Sequence, residues 1–177
     1  MPCRAPVEPW SLAALAGRVV EVMGPSGTRQ DGLRPVASAR STMLAQLVAE
    51  AHTQREPVAW IGGLESTVYP PDLVDHGVDL AALVFVRLRR DAERLRAADT
   101  LVRSGGFGLV VVELGGSESG RARRANSVER RAMRGSRGAE SRSAGVDPAQ
   151  LVRLAGLAKH HDCVLCCVSV CGDASGM

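Results

Sequence analysis

Aromatic side chains are scarce: they make up 3% of the chain and comprise Trp10, Trp60, Tyr69, Phe85 and Phe107. That scarcity argues against a base-stacking platform, which single-strand binders build from successive rings. Lysine is scarcer still. Of 22 basic side chains only Lys159 is a lysine, and the rest are arginines. No apolar run approaches the length of a membrane span, about 18 residues or more. The start of the chain carries Glu8 and only a short apolar run, Leu12 to Ala16. That makes a poor secretory signal, and a cytoplasmic location is expected. The five cysteines are an odd number, and Cys163, Cys166, Cys167 and Cys171 share one apolar run. This pattern suits reduced thiols acting as small hydrophobes.

What is present fits a globular chain. Hydrophobic residues make up 45% and charged residues 23% of the 177 residues, enough to bury a core. That length fits one domain. The expected organisation is an N-terminal segment over 1–16, a single core over 17–171 and a tail over 172–177. The net charge of +3 is unevenly spread: from Ser117 to Ser143 there are eight arginines and three glutamates. This stretch, about 117–146, has almost no apolar content and is expected to be a disordered insert.

Strand and helix patterns alternate. Arg18 to Met23 reads as a strand that stops at Gly24-Pro25-Ser26-Gly27, and Gly27 to Val36 as a loop. A helix follows from Ala39 to Thr53, with Met43, Leu44, Leu47, Val48 and Ala51 on its apolar face and Ser38 as its N-cap. Further strands are expected at Pro57–Ile61, Leu83–Leu88, Gly108–Leu114 and Cys163–Val170. Helices are expected after Pro70-Pro71 up to Gly77, from Asp91 to Arg103, and from Asp147-Pro148 to about His160. The uninterrupted apolar run ending at Glu113 and Leu114 suits a parallel strand buried on both faces. The fold class is therefore α/β, with a mostly parallel central sheet flanked by helices.

In such sheets ligands bind at the carboxyl ends of strands. A working P-loop needs Gly-x4-Gly-Lys-Ser/Thr, with backbone N–H groups around the phosphates, a lysine on their charge and a hydroxyl on Mg²⁺. Gly24, Pro25, Ser26 and Gly27 supply the first part, and Ala39-Arg40-Ser41-Thr42 begin the helix. No lysine is available there. Arg40 could carry the charge, but its planar guanidinium is not equivalent. Fourteen residues separate Gly24 from Ala39, so the cradle cannot have standard geometry. Two readings stay open: a degenerate nucleotide site, or a relic loop with no ligand.

The order of these segments carries a resemblance. Gly17-Arg18-Val19-Val20-Glu21-Val22-Met23-Gly24-Pro25 resembles the first strand and P-loop start of RecA recombinases. Ala39-Arg40-Ser41-Thr42 falls where RecA has Gly-Lys-Thr-Thr. Glu65 lands where RecA-like proteins carry the glutamate that activates the attacking water. His76-Gly77-Val78-Asp79 resembles Leu-Gly-Val-Asp, and Ala97 to Glu113 resembles the helix and Walker B strand. The resemblance covers most of 17–114 and extends to 147–171. Several positions depart from it. Glu113 stands at the Walker B aspartate position, and Ser169-Val170 replaces a polar pair. The N-terminal helix and strand that dock RecA protomers have no counterpart.

A short RecA-like core with an altered P-loop is similar to the ImuA family. Pro57-Val58-Ala59-Trp60-Ile61, Tyr69-Pro70-Pro71-Asp72-Leu73 and Val84 to Arg89 carry that likeness. SulA-like division inhibitors share the truncated architecture. The resemblance implies a RecA-like P-loop core acting as a damage-inducible accessory of translesion DNA synthesis. Its implied partners are an ImuB-like protein and an error-prone C-family polymerase, with RecA as a further candidate and DNA, expected single-stranded and bound without regard to sequence. The implied cofactor is ATP with Mg²⁺ held near Ser41 and Glu113. Two other outcomes stay open: an active DNA-stimulated ATPase with Glu65 orienting water, and a SulA-like or RecA-modulating inhibitor.

The arginines Arg121, Arg123, Arg124, Arg130, Arg131, Arg134, Arg137 and Arg142 lie where the resemblance places the first DNA-binding loop. Arginine suits bidentate phosphate contact, and several such contacts give sequence-independent, salt-sensitive binding. A solvated insert and a protein-docking arm are the alternatives.

Other polar groups have simpler readings. His160-His161-Asp162-Cys163 with Cys166 and Cys167 does not make a metal centre. In a strand Cys163 and Cys167 face one side and Cys166 the other, so no tetrahedral site forms. No structural metal is expected. Glu65 reads equally as a surface glutamate and as a base acting through water. Glu113 reads as a group near Mg²⁺ or as the partner of a nearby arginine. Arg87-Leu88-Arg89-Arg90 reads as a solvated strand end, or as a partner surface.

Overall fold

A computed structural model describes residues 10–25, 39–64, 66, 68–114 and 148–171. A short helix α1 (Leu12–Leu15) begins at Ser11, whose Oγ accepts the Ala14 N–H at 3.3 Å. Then follow β1 (Val19–Pro25), α2 (Ala39–Thr53) and β2 (Val58–Gly62). Two 3-10 turns, Pro70–His76 and Leu80–Ala82, lead into β3 (Leu83–Arg87). The remainder is α3 (Asp91–Ser104), β4 (Leu109–Leu114), α4 (Pro148–His160) and β5 (Val164–Cys171).

The five strands form one sheet in the order β1-β5-β4-β2-β3, and every pairing is parallel. The sequence pattern specifies this class for a physical reason. Both faces of β2 and of the Leu109–Val112 run are buried, so apolar residues occupy consecutive positions without alternation. Strand boundaries shift by one residue from the sequence expectation, and the end of the first strand shifts by two. The first strand runs on through Gly24 and Pro25, which lie opposite Val170 and Cys171 of β5. Pro25 lacks an N–H, and an outer strand tolerates that loss. The segment Pro70–His76 folds as a 3-10 helix, ended by Gly77 at φ 82°.

Strand order fixes which helix covers which face. The chain crosses from β1 over two strands to β2, then returns from β3 to β4 and β5. Right-handed crossovers in opposite directions place their helices on opposite faces. One layer joins α2 to Val22, Val58, Trp60, Leu109, Val111 and Cys166. The other joins α3 and α4 to Ala59, Ile61, Val110, Val112, Leu165 and Cys167. Cys163 and Cys167 lie in the second layer and Cys166 in the first, as strand alternation requires. All three thiols are free. Burial pushes the Cys163 and Cys166 thiols up to about 12 and the Cys167 thiol up to about 11. No helix among the described residues is long and apolar enough to cross a membrane.

Candidate functional site

The carboxyl end of β2 is where the connections part. The chain leaves β2 toward the α2 face, whereas it leaves β3 toward the opposite face, where α3 packs. Open α/β sheets bind ligands at such a divergence. In this chain its own side chains fill the place.

Glu113 continues the Leu109–Val111 row of β4, on the α2 face. Its carboxylate turns toward β2 and accepts three hydrogen bonds. The Trp60 indole N–H donates to Oε1 at 3.0 Å, and the Ser66 hydroxyl donates to the same oxygen at 2.9 Å. The Gly63 N–H donates to Oε2 at 3.4 Å. A side chain at 62 would crowd this arrangement, because a Cβ on Gly62 would lie 3.1 Å from Glu113 Oε2 and 3.2 Å from Ser66 Cβ. The glycine keeps room for the carboxylate.

Arg94 closes the cluster from the α3 side. It is 1% exposed, the one buried charged residue among the described residues. Its guanidinium donates to the carbonyls of Leu88 and Arg89 at 3.0 Å and of Glu113 at 3.1 Å. Asp91 Oδ1 accepts from Nη1 at 2.7 Å. A buried cation needs both a counter-charge and acceptors for its remaining N–H groups, and Arg94 has both. A Cβ on Gly63 would lie 2.7 Å from Arg94 Nη2. The chain therefore passes over the guanidinium where only glycine fits. Beyond Trp60, Phe85 stacks at 6.3 Å between centroids, and the Arg87 guanidinium lies 5.3 Å from the Phe85 centroid. Arg87 Nη2 also donates to the Val68 carbonyl at 3.3 Å.

The first turn of α2 lies elsewhere, over the β1 and β5 ends. Arg40 is half-buried and its Nη1 donates to the Ser169 carbonyl at 3.1 Å. The Ser169 hydroxyl donates to Glu21 Oε1 at 2.8 Å. Ser41 and Thr42 share that turn and are half-buried. The structure thus ties Arg40 to β5 and Glu113 to β2, with β4 between those two strands. Gly24 and Pro25 end β1 opposite β5. Ser26, Gly27 and Glu65 lie outside the described residues, as do all eight arginines from Arg121 to Arg142.

These groups bear on the nucleotide that the sequence implies. A Mg²⁺–nucleotide site needs a carboxylate aimed at the metal and a cation aimed at the phosphates. Glu113 is instead aimed at an indole, a hydroxyl and an amide, and Arg40 at a carbonyl. The described residues do not fit a standard Mg²⁺–nucleotide site. Sequence reasoning missed Ser66, Gly63 and Arg94 as members of the cluster, and for Arg94 a signal was present. The available signal was its place on α3: it lies one turn before Ala98 and beside Leu95, on the stripe that ends at Val102, where solvated arginines do not belong.

No family model matches the chain. Over 97 residues it is 28% identical to the protein RecA of Rickettsia massiliae, covering 55% of this chain and 25% of that protein. Over the same length it is 33% identical to RecA of Rubrobacter xylanophilus, covering 55% and 25%. For RecA of Lactobacillus acidophilus the identity is 31%, covering 55% and 24%. The chain therefore spans about a quarter of the length of the curated relatives it matches. Among solved structures, SulA from Pseudomonas aeruginosa aligns at a TM-score of 0.49 and 16% identity, covering 85% of this chain and 97% of that one. The chain thus carries a RecA-like segment on an α/β core whose sheet is wholly parallel.

Proposed function

We propose that this protein is a RecA-like, DNA-binding accessory factor of damage-inducible translesion synthesis, of the ImuA kind, in which the old nucleotide cleft has become structural. The observation that carries the reading is the redirected Glu113, whose carboxylate holds Trp60, Ser66 and Gly63. Arg40 supports it by bonding a backbone carbonyl where RecA has the P-loop lysine. A core braced in this way keeps its shape without a phosphate in the cleft.

In this reading the protein works in the cytoplasm as a scaffold. DNA is gripped through Arg121, Arg123, Arg124, Arg130, Arg131, Arg134, Arg137 and Arg142, without regard to sequence. An ImuB-like protein, an error-prone C-family polymerase and RecA are the proposed partners. The competing reading is a DNA-stimulated ATPase. There Arg40, Ser41, Thr42 and the Gly24–Gly27 turn hold ATP, Glu113 turns toward Mg²⁺ and Glu65 orients the water.

One experiment separates the two. Phosphate release from ATP is measured with and without single-stranded DNA, beside DNA binding by the same preparation. The scaffold reading expects DNA binding with no stimulated release. Stimulated release that is lost in Arg40→Ala and Glu65→Gln would replace the scaffold with the ATPase. Absence of DNA binding at low salt would remove both and leave an inhibitor of the SulA kind.

A further inference from the structure

The turn Arg87-Leu88-Arg89-Arg90 is better defined than a solvated strand end needs to be. It joins β3 to α3 at the carboxyl end of the sheet, and Arg87, Arg89 and Arg90 are all exposed. Its backbone is fastened from inside. The buried Arg94 guanidinium donates to the Leu88 and Arg89 carbonyls at 3.0 Å each, and the Leu88 N–H donates to the Gly62 carbonyl at 3.0 Å. The Arg90 carbonyl accepts the Glu93 and Arg94 N–H groups at 3.0 and 3.1 Å. With these backbone groups turned inward, the three arginine side chains are what the turn presents to solvent.

Three guanidinium groups on four consecutive residues are rooted within about 10 Å of chain, which is about one Debye length at 0.1 M salt. They repel one another unless anions lie among them. The carboxylates nearby are already engaged. Asp91 Oδ1 pairs with Arg94 at 2.7 Å. Glu93 accepts the Arg90 N–H at 3.3 Å and stands 4.0 Å from Arg90 Nε. Glu113 is occupied by Trp60, Ser66 and Gly63. No carboxylate among the described residues pairs with Arg87 or Arg89. Arg87 is held in place by the Phe85 ring and by one bond to the Val68 carbonyl. A guanidinium has five N–H donors, so most of those on Arg87 stay available. A side chain already held loses little further freedom on binding.

We propose that the Arg87–Arg90 turn is a second phosphate-contact site, across which DNA held by the arginine-rich segment continues. That role rests on the DNA-binding reading above and names the part of the folded core that the DNA touches. Two observations favour nucleic acid over an acidic protein. First, the turn exposes no apolar side chain, because Leu88 packs inward on the α3 side of the core. A protein interface needs an apolar centre, whereas a phosphate backbone needs only cations. Second, the turn lies beside the point where the chain leaves the sheet for the arginine-rich segment. Ile61 of β2 is opposite both Val112 and Val86, so Leu114, at the end of β4, is level with Leu88. One strand separates them, which puts them about 10 Å apart at the usual strand spacing.

The test compares the full chain with two double variants. One is Arg89→Ala with Arg90→Ala in the turn. The other is Arg18→Ala with Arg55→Ala, at the amino end of the sheet. All four positions are exposed and each pair removes the same charge. Arg87 is left in place because it also covers Phe85. Urea midpoints check folding, and fluorescence anisotropy with a labelled oligothymidine reads affinity across salt. The slope of log affinity against log salt should fall by about 1.4 in the turn variant, two phosphates at about 0.7 each, and stay unchanged in the amino-end variant. Arg89→Ala alone, which leaves the residue before α3 intact, should lower it by about 0.7. An unchanged slope in the turn variants, while the unaltered chain binds DNA, would overturn the proposal and leave the DNA-binding reading standing. Equal losses in the two double variants would also overturn it, since net charge alone would then account for them. Absence of binding by the unaltered chain at low salt would remove the DNA-binding reading and this site with it. A polyglutamate peptide is titrated in parallel. If the turn variant loses the peptide and keeps the oligonucleotide, the turn belongs to an acidic protein instead.

Discussion

Trp60 and Glu113, 53 residues apart in sequence, are joined by an indole N–H that donates to the carboxylate at 3.0 Å. The parallel register of β2 and β4 makes the contact: Trp60 lies opposite Val111, and Glu113 follows two residues later on the same face. Trp60 itself is 1% exposed, so its N–H has little access to water. Removing the acceptor should therefore cost more than removing the donor. Glu113→Ala is expected to lower folding stability by about 2–3 kcal/mol, because it strands the indole N–H. Trp60→Phe retains the ring and is expected to cost about 1–2 kcal/mol, combining the lost bond with lost volume. Urea unfolding of both singles and the double variant should give a non-additive cycle. Additive losses would show that the two groups do not act together.

Arg94 is expected to be the costliest single charge in the described structure. Arg94→Ala leaves the Asp91 carboxylate without this cation and three carbonyls without these donors. The expected loss is about 3–5 kcal/mol, enough to threaten folding. Arg94→Lys keeps the charge but not the fork that spans Leu88, Arg89 and Glu113, and should recover only part of it. Gly63→Ala tests the same packing from the other side, since its Cβ would press on the guanidinium at 2.7 Å. Its penalty should shrink in the Arg94→Lys background, where a slimmer side chain lies beneath. Equal penalties in both backgrounds would contradict that geometry.

The sheet was readable in the chain because burial on both faces writes itself as unbroken apolar runs. Val58–Ile61 and Leu109–Val112 are such runs, and the split of Cys163 and Cys167 from Cys166 followed from alternation alone. The site was less readable. Glu113 was visible as the polar end of a buried strand, and its partner was not. Which way a carboxylate turns depends on strand neighbours, and β4 lies between β2 and β5, far apart in the chain. Arg94 was hidden for a different reason. It is one arginine in a chain where almost every cation is arginine, so its identity carried no information. Only its position on the apolar stripe of α3 distinguished it.

Burial of the thiols makes stability fall in alkali. Cys163 and Cys166 ionise at about 12 in the folded chain against an ordinary value of 9.0, with loss of hydration as the leading cause. Above pH 9 the unfolded chain gives up these protons while the folded chain keeps them. The unfolded state then binds fewer protons, so stability declines as pH rises from 9 toward 12. Cys163→Ala with Cys166→Ala should flatten that decline, measured as urea midpoints across the range. In native protein at about pH 8, where these thiols stay protonated, thiol reagents should label Cys163, Cys166 and Cys167 slowly and denaturant should release them. Fast labelling of all three without denaturant would contradict their burial.

The arginine-rich segment is the proposed grip on DNA, and its test is a salt slope. Each phosphate neutralised on a single strand contributes about 0.7 to the slope of log affinity against log salt. Replacing Arg121 and Arg123 with alanine should lower that slope by about 1.4 while leaving the preference among oligonucleotide sequences unchanged. Replacing Arg121, Arg123, Arg124, Arg130 and Arg131 together should abolish binding. Urea midpoints of the same variants check that the core is still folded. The slope, not the affinity, decides between mechanisms. An arm that docks protein could lose DNA affinity indirectly, through a partner held in the preparation, without a proportionate fall in slope. Unchanged affinity at low salt in the fivefold variant would mean that DNA is held elsewhere.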